Sequence, residues 1–164
     1  MNTAKKSLVL ISALLIFSVF TGCGSKTEVV KTDVPVSDIS AAVTKVLSDD
    51  ALVSVDADYV KGSMKMEVSD FDSFDVKINS KGVNIDEFGI FKAKDSEQVA
   101  AVQKAAEDYL QMRSDTWMPE YMPEERPKLD SAEVRTVGYY VMYAILSDED
   151  RDAAFKAFTA ALTA

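Results

Sequence analysis

The chain contains no histidine and a single cysteine, Cys23, in 164 residues. Without an imidazole it lacks the commonest general acid–base group and the commonest metal ligand. Ser-His-Asp and Cys-His arrangements are excluded with it. One cysteine cannot close a disulfide within the chain, so the fold is not a disulfide scaffold. Basic residues are scarce: 18 Lys and Arg stand against 27 Asp and Glu, a net charge of −9. That balance argues against a nucleic-acid partner, which needs a basic footprint. No internal repeat or long low-complexity segment is present, and no apolar run reaches the roughly 20 residues of a comfortable membrane-spanning helix.

What is present begins at the N-terminal end. Lys5 and Lys6 precede an uncharged stretch, Ser7 to Phe20, rich in Leu, Ile, Val and Phe, and small residues follow. A basic region, a short apolar region and a small-residue site are the three parts of an export signal. An uncleaved anchor helix is the alternative, and the shortness of the run disfavours it. The stretch ends in Phe20-Thr21-Gly22-Cys23. This resembles the lipobox of bacterial lipoprotein precursors, with Phe20 where leucine is usual. The resemblance implies cleavage before Cys23 and a diacylglyceryl group on its thiol. Gly24 follows, so an aspartate-type inner-membrane retention signal is absent. Each buried methylene contributes about 0.8 kcal/mol, so two acyl chains hold far longer than one. Acylation would also remove the only thiol from nucleophilic or metal chemistry.

Loss of residues 1–22 removes Lys5 and Lys6, leaving 16 basic and 27 acidic side chains and a net charge of −11. Such a surface does not adsorb to anionic lipid by itself. The bilayer partner is expected to be held through the acyl groups on Cys23 alone. About 140 residues remain, enough for one domain with a real core.

Residues 23–36 are polar, aperiodic and contain Pro35, and read as an acylated flexible tether of roughly 20 Å. A single domain is expected over 37–164. Ser37 is an N-cap candidate for a first helix, with Ile39, Ala42, Val43, Val46 and Leu47 on one face and Asp49-Asp50 at its end. Asp56 to Lys61 suggests a further helical turn, while Ser63 to Asp72 is ambiguous. Phe74, Val76 and Ile78 alternate with polar residues as a half-buried strand. Asn79 to Gly82 reads as a hairpin loop. Val83 and Ile85 are out of phase with Phe88 and Ile90, which implies a bulge near Asp86-Glu87 or burial of both faces. Asp95, with Gln98 three residues on, predicts a capping box for the longest helix. Its stripe is Val99, Val102, Ala106, Tyr109 and Leu110, fading near Ser114 to Trp117. Pro119, Pro123 and Pro127 then leave room for short helical turns only. Val134 to Leu146 reads as a hairpin or one bent strand with Gly138 at the turn or kink, and from Val137 to Leu146 both faces are apolar, predicting a strand interior to the sheet. Ser147 or Asp148 caps a last helix with Phe155, Phe158 and Leu162 facing inward. The expected class is α+β: an antiparallel sheet of about four strands from two hairpins, with helices before, between and after them.

Three stretches carry a second resemblance. They are Asp86-Glu87-Phe88-Gly89-Ile90-Phe91-Lys92-Ala93-Lys94-Asp95, then Tyr121-Met122-Pro123-Glu124-Glu125, then Gly138-Tyr139-Tyr140 running on to Ser147-Asp148. In this order behind a lipobox, the chain resembles a family of small lipoproteins from Gram-positive, clostridia-like anaerobes that carry a domain of unknown function. The resemblance implies a location and a domain type. It assigns no catalytic residue.

The acidic clusters are better read as structure than as chemistry. Counted from Asp70, a calcium loop would need glycine sixth and glutamate twelfth, where Asp75 and Lys81 stand. Asp148, Glu149, Asp150 and Asp152 suit a helix N-terminus, at about 0.3–1 kcal/mol each from the helix dipole. Asp86 and Glu87, as neighbours on a strand, point to opposite faces and would share a site as a carboxylate pair only if a bulge turned them. The possible partner surface is Trp117, Met118, Tyr121 and Met122, because connectors carry function and Trp and Tyr favour binding hot spots. These residues also suit a lid over the open end of the core.

The expectation is therefore a lipoprotein on the outer face of the cytoplasmic membrane, with no catalytic, cofactor or metal-binding residue assigned. It would be a non-catalytic interaction module with an envelope protein as partner. An envelope-acting hydrolase using Asp or Glu is the alternative, and a structural spacer is another. Intact-mass analysis of membrane-extracted protein should return a chain starting at a diacylglycerylated Cys23. An unmodified Cys23 with residues 1–22 still attached would overturn the anchor.

Overall fold

The computed structural model describes residues 29–164. Its organising element is strand β5, Tyr140–Ile145, in which every residue is buried. Alternate side chains of a strand point to opposite faces, and here both faces are covered. Tyr140, Met142 and Ala144 join one apolar cluster, whereas Val141, Tyr143 and Ile145 join another. The expected interior hairpin strand is thus observed. β5 pairs with β4, Glu133–Val137, on one side and with β3, Glu87–Ala93, on the other. Beyond β3 lie β2, Phe71–Asn79, and β1, Leu52–Ser54, giving the order β1-β2-β3-β5-β4 with every neighbour antiparallel. The sheet therefore has five strands rather than four. The extra one, β1, is three residues long and carries no alternation of its own.

Helices pack on the antiparallel sheet, as expected of the α+β class, and cover both of its faces. Helices α1, Val36–Thr44, and α5, Asp148–Leu162, pack on Phe88, Ile90, Tyr140 and Met142 through Ile39, Val43, Phe155, Phe158 and Leu162. On the other face lie α2, Ala57–Gly62, α3, Val99–Asp115, and the short α4, Arg126–Asp130. Val60, Val102, Ala106, Tyr109 and Leu129 from these three helices meet Val76, Phe91, Val141 and Tyr143.

Several boundaries differ from those expected. Ser37 lies inside α1, which starts after Pro35, and it caps nothing. The helix ends at Thr44, short of Asp49-Asp50. Asp49 instead turns the chain locally, accepting a hydrogen bond from Ala51 N at 2.7 Å and one from Asn79 Nδ2 at 2.7 Å. A short carboxylate that binds nearby backbone competes with helix continuation. Asp95 does cap, but it closes a turn: its Oδ1 accepts from Glu97 N and Gln98 N at 3.0 Å each, and α3 begins only at Val99. Gln98 does not return the bond, so the box is half formed. Asp56 and Ser147 cap α2 and α5 by accepting from Tyr59 N and Asp150 N.

The phase change before Phe88 has the second of its two explanations. Val83 and Ile85 precede the strand, β3 starts at Glu87, and both its faces are buried. The β2–β3 loop is correspondingly longer than Asn79 to Gly82. The register irregularity of this hairpin lies at Phe71/Ser73 instead. The β4–β5 turn has positive φ at Gly138 only, +58°, with Tyr139 on the ordinary side. That is the pattern of a two-residue hairpin turn with glycine first.

The end of the expected tether is docked on the domain. Val30 bridges Thr163, Lys31 N donates to Leu162 O at 2.8 Å, and Tyr140 OH donates to Val34 O at 2.8 Å. Val36 is already a core residue of α1. Residues 30–36 form a strap across the end of α5 and the β4–β5 turn. An added Cβ on Gly138 would come within 2.7 Å of Val30 Cγ1.

Gly89 makes a closer fit still. It faces Tyr143 across the β3–β5 pairing and Val76 across the β2–β3 pairing. The Tyr143 ring fills the space a side chain would occupy, so a Cβ would overlap Tyr143 Cε1 and lie 3.0 Å from Val76 Cγ2. Overpacking of this kind costs about 1–3 kcal/mol. Gly89→Ala should therefore lower the urea midpoint by that amount of stability. An unchanged midpoint would mean that Tyr143 has another place to go.

Candidate functional site

The end of α3 brings two groups of residues together. One is buried beneath the helix, and the other is on the connector that follows it.

The buried group centres on Glu87, the first residue of β3, which is 2% exposed. Its side chain shares a face with Gly89 and Phe91, toward α3. Three donors converge on the carboxylate. Tyr109 OH reaches Oε1 at 2.6 Å, Tyr143 OH reaches Oε1 at 2.5 Å, and the Arg113 guanidinium pairs with Oε2. Arg113 Nη1 also donates to Tyr109 OH at 2.8 Å. The two tyrosine rings meet edge to face at 5.3 Å. Tyr109 and Arg113 are one helical turn apart, so α3 presents both to the same point. Tyr143 reaches it only because Gly89 leaves its ring room.

Burial, and then the charge of Glu87, pushes the phenols of Tyr109 and Tyr143 far above their ordinary range. Tyr59 moves the same way for the same causes. Burial would lower Arg113, but Glu87 and Tyr109 outweigh it and hold the guanidinium charged. The network thus consists of phenol donors, a permanent cation and an acceptor with both oxygens engaged. It holds neither a free base nor a phenolate nucleophile.

Asp86, 6% exposed, belongs to a separate pair. Lys128 Nζ reaches Asp86 Oδ1 at 2.7 Å and Glu125 Oε2 at 2.8 Å. Glu125 also accepts from Ile85 N at 3.0 Å, tying the connector to the β2–β3 loop. Burial raises the Asp86 carboxyl in spite of Lys128, with the charges of Glu125 and Asp49 adding to it. Burial opposes the charge on Lys128, and its two carboxylate partners more than restore it. Asp86 and Glu87 share no partner, as adjacent residues on an extended chain should not. Among the described residues no three carboxylates are placed to hold a metal ion.

The connector carries the sequence-predicted surface. Trp117 is half-buried and packs on the α3 side of the core. Its ring lies 6.5 Å from that of Tyr121. Met118 and Tyr121 are 63% and 54% exposed. Every other exposed large apolar side chain among the described residues is a valine. Tyr121 N closes a turn onto Met118 O at 2.9 Å. Met122 is half-buried and sits in the left-handed region at φ +49°, directly before Pro123. That conformation costs a residue with a Cβ about 1–2 kcal/mol. The fold therefore brings Trp117, Met118 and Tyr121 into one patch and uses Met122 as its hinge. Cys23 lies outside the described residues.

A separate cavity of about 340 Å³ lies between the start of β2 and the first turns of α3, lined by Phe71, Lys94, Gln98 and Val102 among others. The buried Oε1 of Gln98 accepts no hydrogen bond among the described residues.

The sequence reading passed over the Glu87 network. The signal was present: a carboxylate at the head of an all-apolar strand, in phase with Gly89 and Phe91, needs buried donors. Arg113, four residues after Tyr109 on the inward stripe, was the matching cation.

Two outcomes follow for this network. Glu87→Gln leaves Arg113 without its counter-ion. Breaking a buried pair costs about 3–5 kcal/mol, and the lower end is expected because Arg113 keeps 24% exposure. The second outcome concerns alkaline pH. Below the unfolded phenol value, about 10, the tyrosines are protonated in both states and their contribution is complete. Above it the unfolded chain releases protons that the folded one keeps, so stability falls by about 1.4 kcal/mol per pH unit for each buried phenol. Tyr143→Phe should remove one such increment from the slope in urea titrations between about pH 10 and 12. An unchanged slope would contradict the burial of that phenol.

A family profile described as "Domain of unknown function (DUF4358)" matches residues 45–146. The match runs from the end of α1 to the end of β5, and so spans the whole sheet, Glu87 with its three donors, and the connector. No curated protein matches the chain, and no solved structure does. The matched span exceeds half the sequence, and the chain belongs to the family of the DUF4358 domain of unknown function.

Proposed function

We propose that this protein is a lipoprotein anchored through Cys23 on the outer face of the cytoplasmic membrane. Its domain is a non-catalytic interaction module that engages an envelope protein through Trp117, Met118, Tyr121 and Met122. The observation that carries this reading is the exposed Met118–Tyr121 pair, backed by the half-buried Trp117 ring, on a strained and proline-broken connector. Exposed aromatic and methionine side chains at a rigid loop are the composition of an interface core. One further feature supports it. The buried carboxylates of Asp86 and Glu87 are both engaged by cationic partners, which disfavours the hydrolase alternative. No helix among the described residues is long and apolar enough to cross a membrane.

Met118→Ser and Tyr121→Ser change exposed side chains and should leave the urea midpoint within about 0.5 kcal/mol of wild type. Truncating a hot-spot residue costs a complex about 2 kcal/mol or more, which is over tenfold in affinity. Crosslinking in intact cells should therefore lose at least one protein adduct in each variant. If both variants retain every adduct of the wild type, the connector is not the site.

A further inference from the structure

The strap decides which way the connector faces. Two poles of the domain can be followed through the hydrogen bonds. At one pole lie the β4–β5 turn, the end of β3 and the end of α5. Ala93 N donates to Tyr139 O at 2.8 Å, and Val30 and Lys31 are joined to Thr163 and Leu162 there. Helix α3 starts at this pole, where Thr136 of β4 donates to Gln103 Oε1 at 3.0 Å. It runs to the other pole, where Arg113 and Tyr109 meet Glu87. Seventeen helical residues at 1.5 Å each span about 25 Å. The connector begins where α3 ends, so Trp117 to Met122 and the strap occupy opposite poles.

Cys23 precedes Val30 by seven residues. Seven residues reach at most about 25 Å even when fully extended. An anchor at Cys23 thus holds the strap pole close to the bilayer, on half the length of chain that a free tether to residue 36 would supply. The connector pole also carries more acid than base: Asp115, Glu120 and Glu124 are exposed beside the patch and Asp148 and Glu149 open α5 at the same end, whereas Lys81, Arg126 and Lys128 there are each paired with a carboxylate. An anionic leaflet repels that end.

We infer that the docked strap presents Trp117, Met118 and Tyr121 on the membrane-distal pole. The partner is then a water-soluble protein or domain, approaching from outside, with an apolar pocket rimmed by Lys and Arg to match the flanking carboxylates. A membrane-embedded partner does not fit this geometry. The inference rests on the lipoprotein and connector readings above.

The test uses the acylated protein as extracted from the membrane, in vesicles of phosphatidylcholine and phosphatidylglycerol containing a headgroup-linked acceptor dye. Acylation makes the Cys23 sulfur a thioether, so a maleimide donor dye labels only an introduced thiol. Ala160→Cys places the donor at the strap pole, and Met118→Cys places it on the patch. Transfer should be several-fold more efficient from position 160, and the difference should collapse in Lys31→Pro, which removes the N–H that binds Leu162 O. Equal transfer from both positions, or stronger transfer from position 118, would overturn the orientation. Intact mass on the same sample separates the two failures. An unacylated Cys23 sinks the anchor reading and this inference with it, whereas an acylated protein with equal transfer sinks the orientation alone. In intact cells, benzoylphenylalanine at position 121 should give adducts with a soluble protein or domain, weakened at raised salt. Adducts with phospholipid or with a membrane-spanning segment, or no adduct at all, would overturn the assignment of the partner.

Discussion

The carboxylate of Glu87 is the constraint around which the α3 face of this domain is built. A charge moved from water into a protein interior costs several kcal/mol unless donors and a counter-ion meet it. Here they come from two other elements, Tyr143 from β5 and Tyr109 and Arg113 from α3. None of the three is close to Glu87 in sequence. The sheet must form with β5 beside β3, and α3 must lie across it at one angle and one rotation, before the charge is satisfied. Apolar packing tolerates small slides between a helix and a sheet, whereas a set of hydrogen bonds at 2.5–2.8 Å does not. Gly89 is part of the same arrangement, because the Tyr143 hydroxyl reaches Glu87 only with the ring pressed onto bare backbone.

The consequence runs outward to the connector. Arg113 is two residues from the end of α3, and Trp117 follows it by four residues, about one turn's spacing. With Arg113 pinned, the helix delivers Trp117 to a fixed place on the core. Lys128 and Glu125 fasten the far end of the connector to the β2–β3 loop. The patch of Trp117, Met118 and Tyr121 is therefore held at both sides by ion pairs that bury their charge, with left-handed Met122 as the bend between them. Binding a partner there would order few additional groups, which favours affinity.

How much of this the sequence disclosed depended on the range of the interaction. The unbroken apolar run from Tyr140 to Leu146 reveals a strand buried on both faces, because the pattern is local and β5 needs nothing else to announce it. Ser147 as a cap, the proline-broken connector and the inward Phe155, Phe158 and Leu162 are legible for the same reason. The exposed pair on the connector was legible in composition, and the fold added that Met118 and Tyr121 face solvent while Trp117 leans on the core. Glu87 was not legible as a centre, since its donors lie 22, 26 and 56 positions away and only the tertiary fold assembles them. The docked strap was hidden differently. In residues 30–36 three valines are scattered among Lys31, Thr32, Asp33 and Pro35 without the run that announces an element, and what fixes them, besides the packing of Val34 and Val36, is a few hydrogen bonds to the backbone, to which sequence pattern is blind.

That strap has a mechanical side. Lys31 and Leu162 are joined by a backbone hydrogen bond that belongs to the Val30–Thr163 bridge, and Tyr140 adds a second attachment at Val34. A load drawn along the N-terminal end would meet these attachments one after another and peel them singly. It would reach α1 and the sheet only once the strap was spent. The seven residues of chain released in that sequence would lengthen the link by up to about 25 Å. The strap is thus a small extensible coupling in series with a stiff body, able to absorb a tug without loading the buried charge on which that body depends.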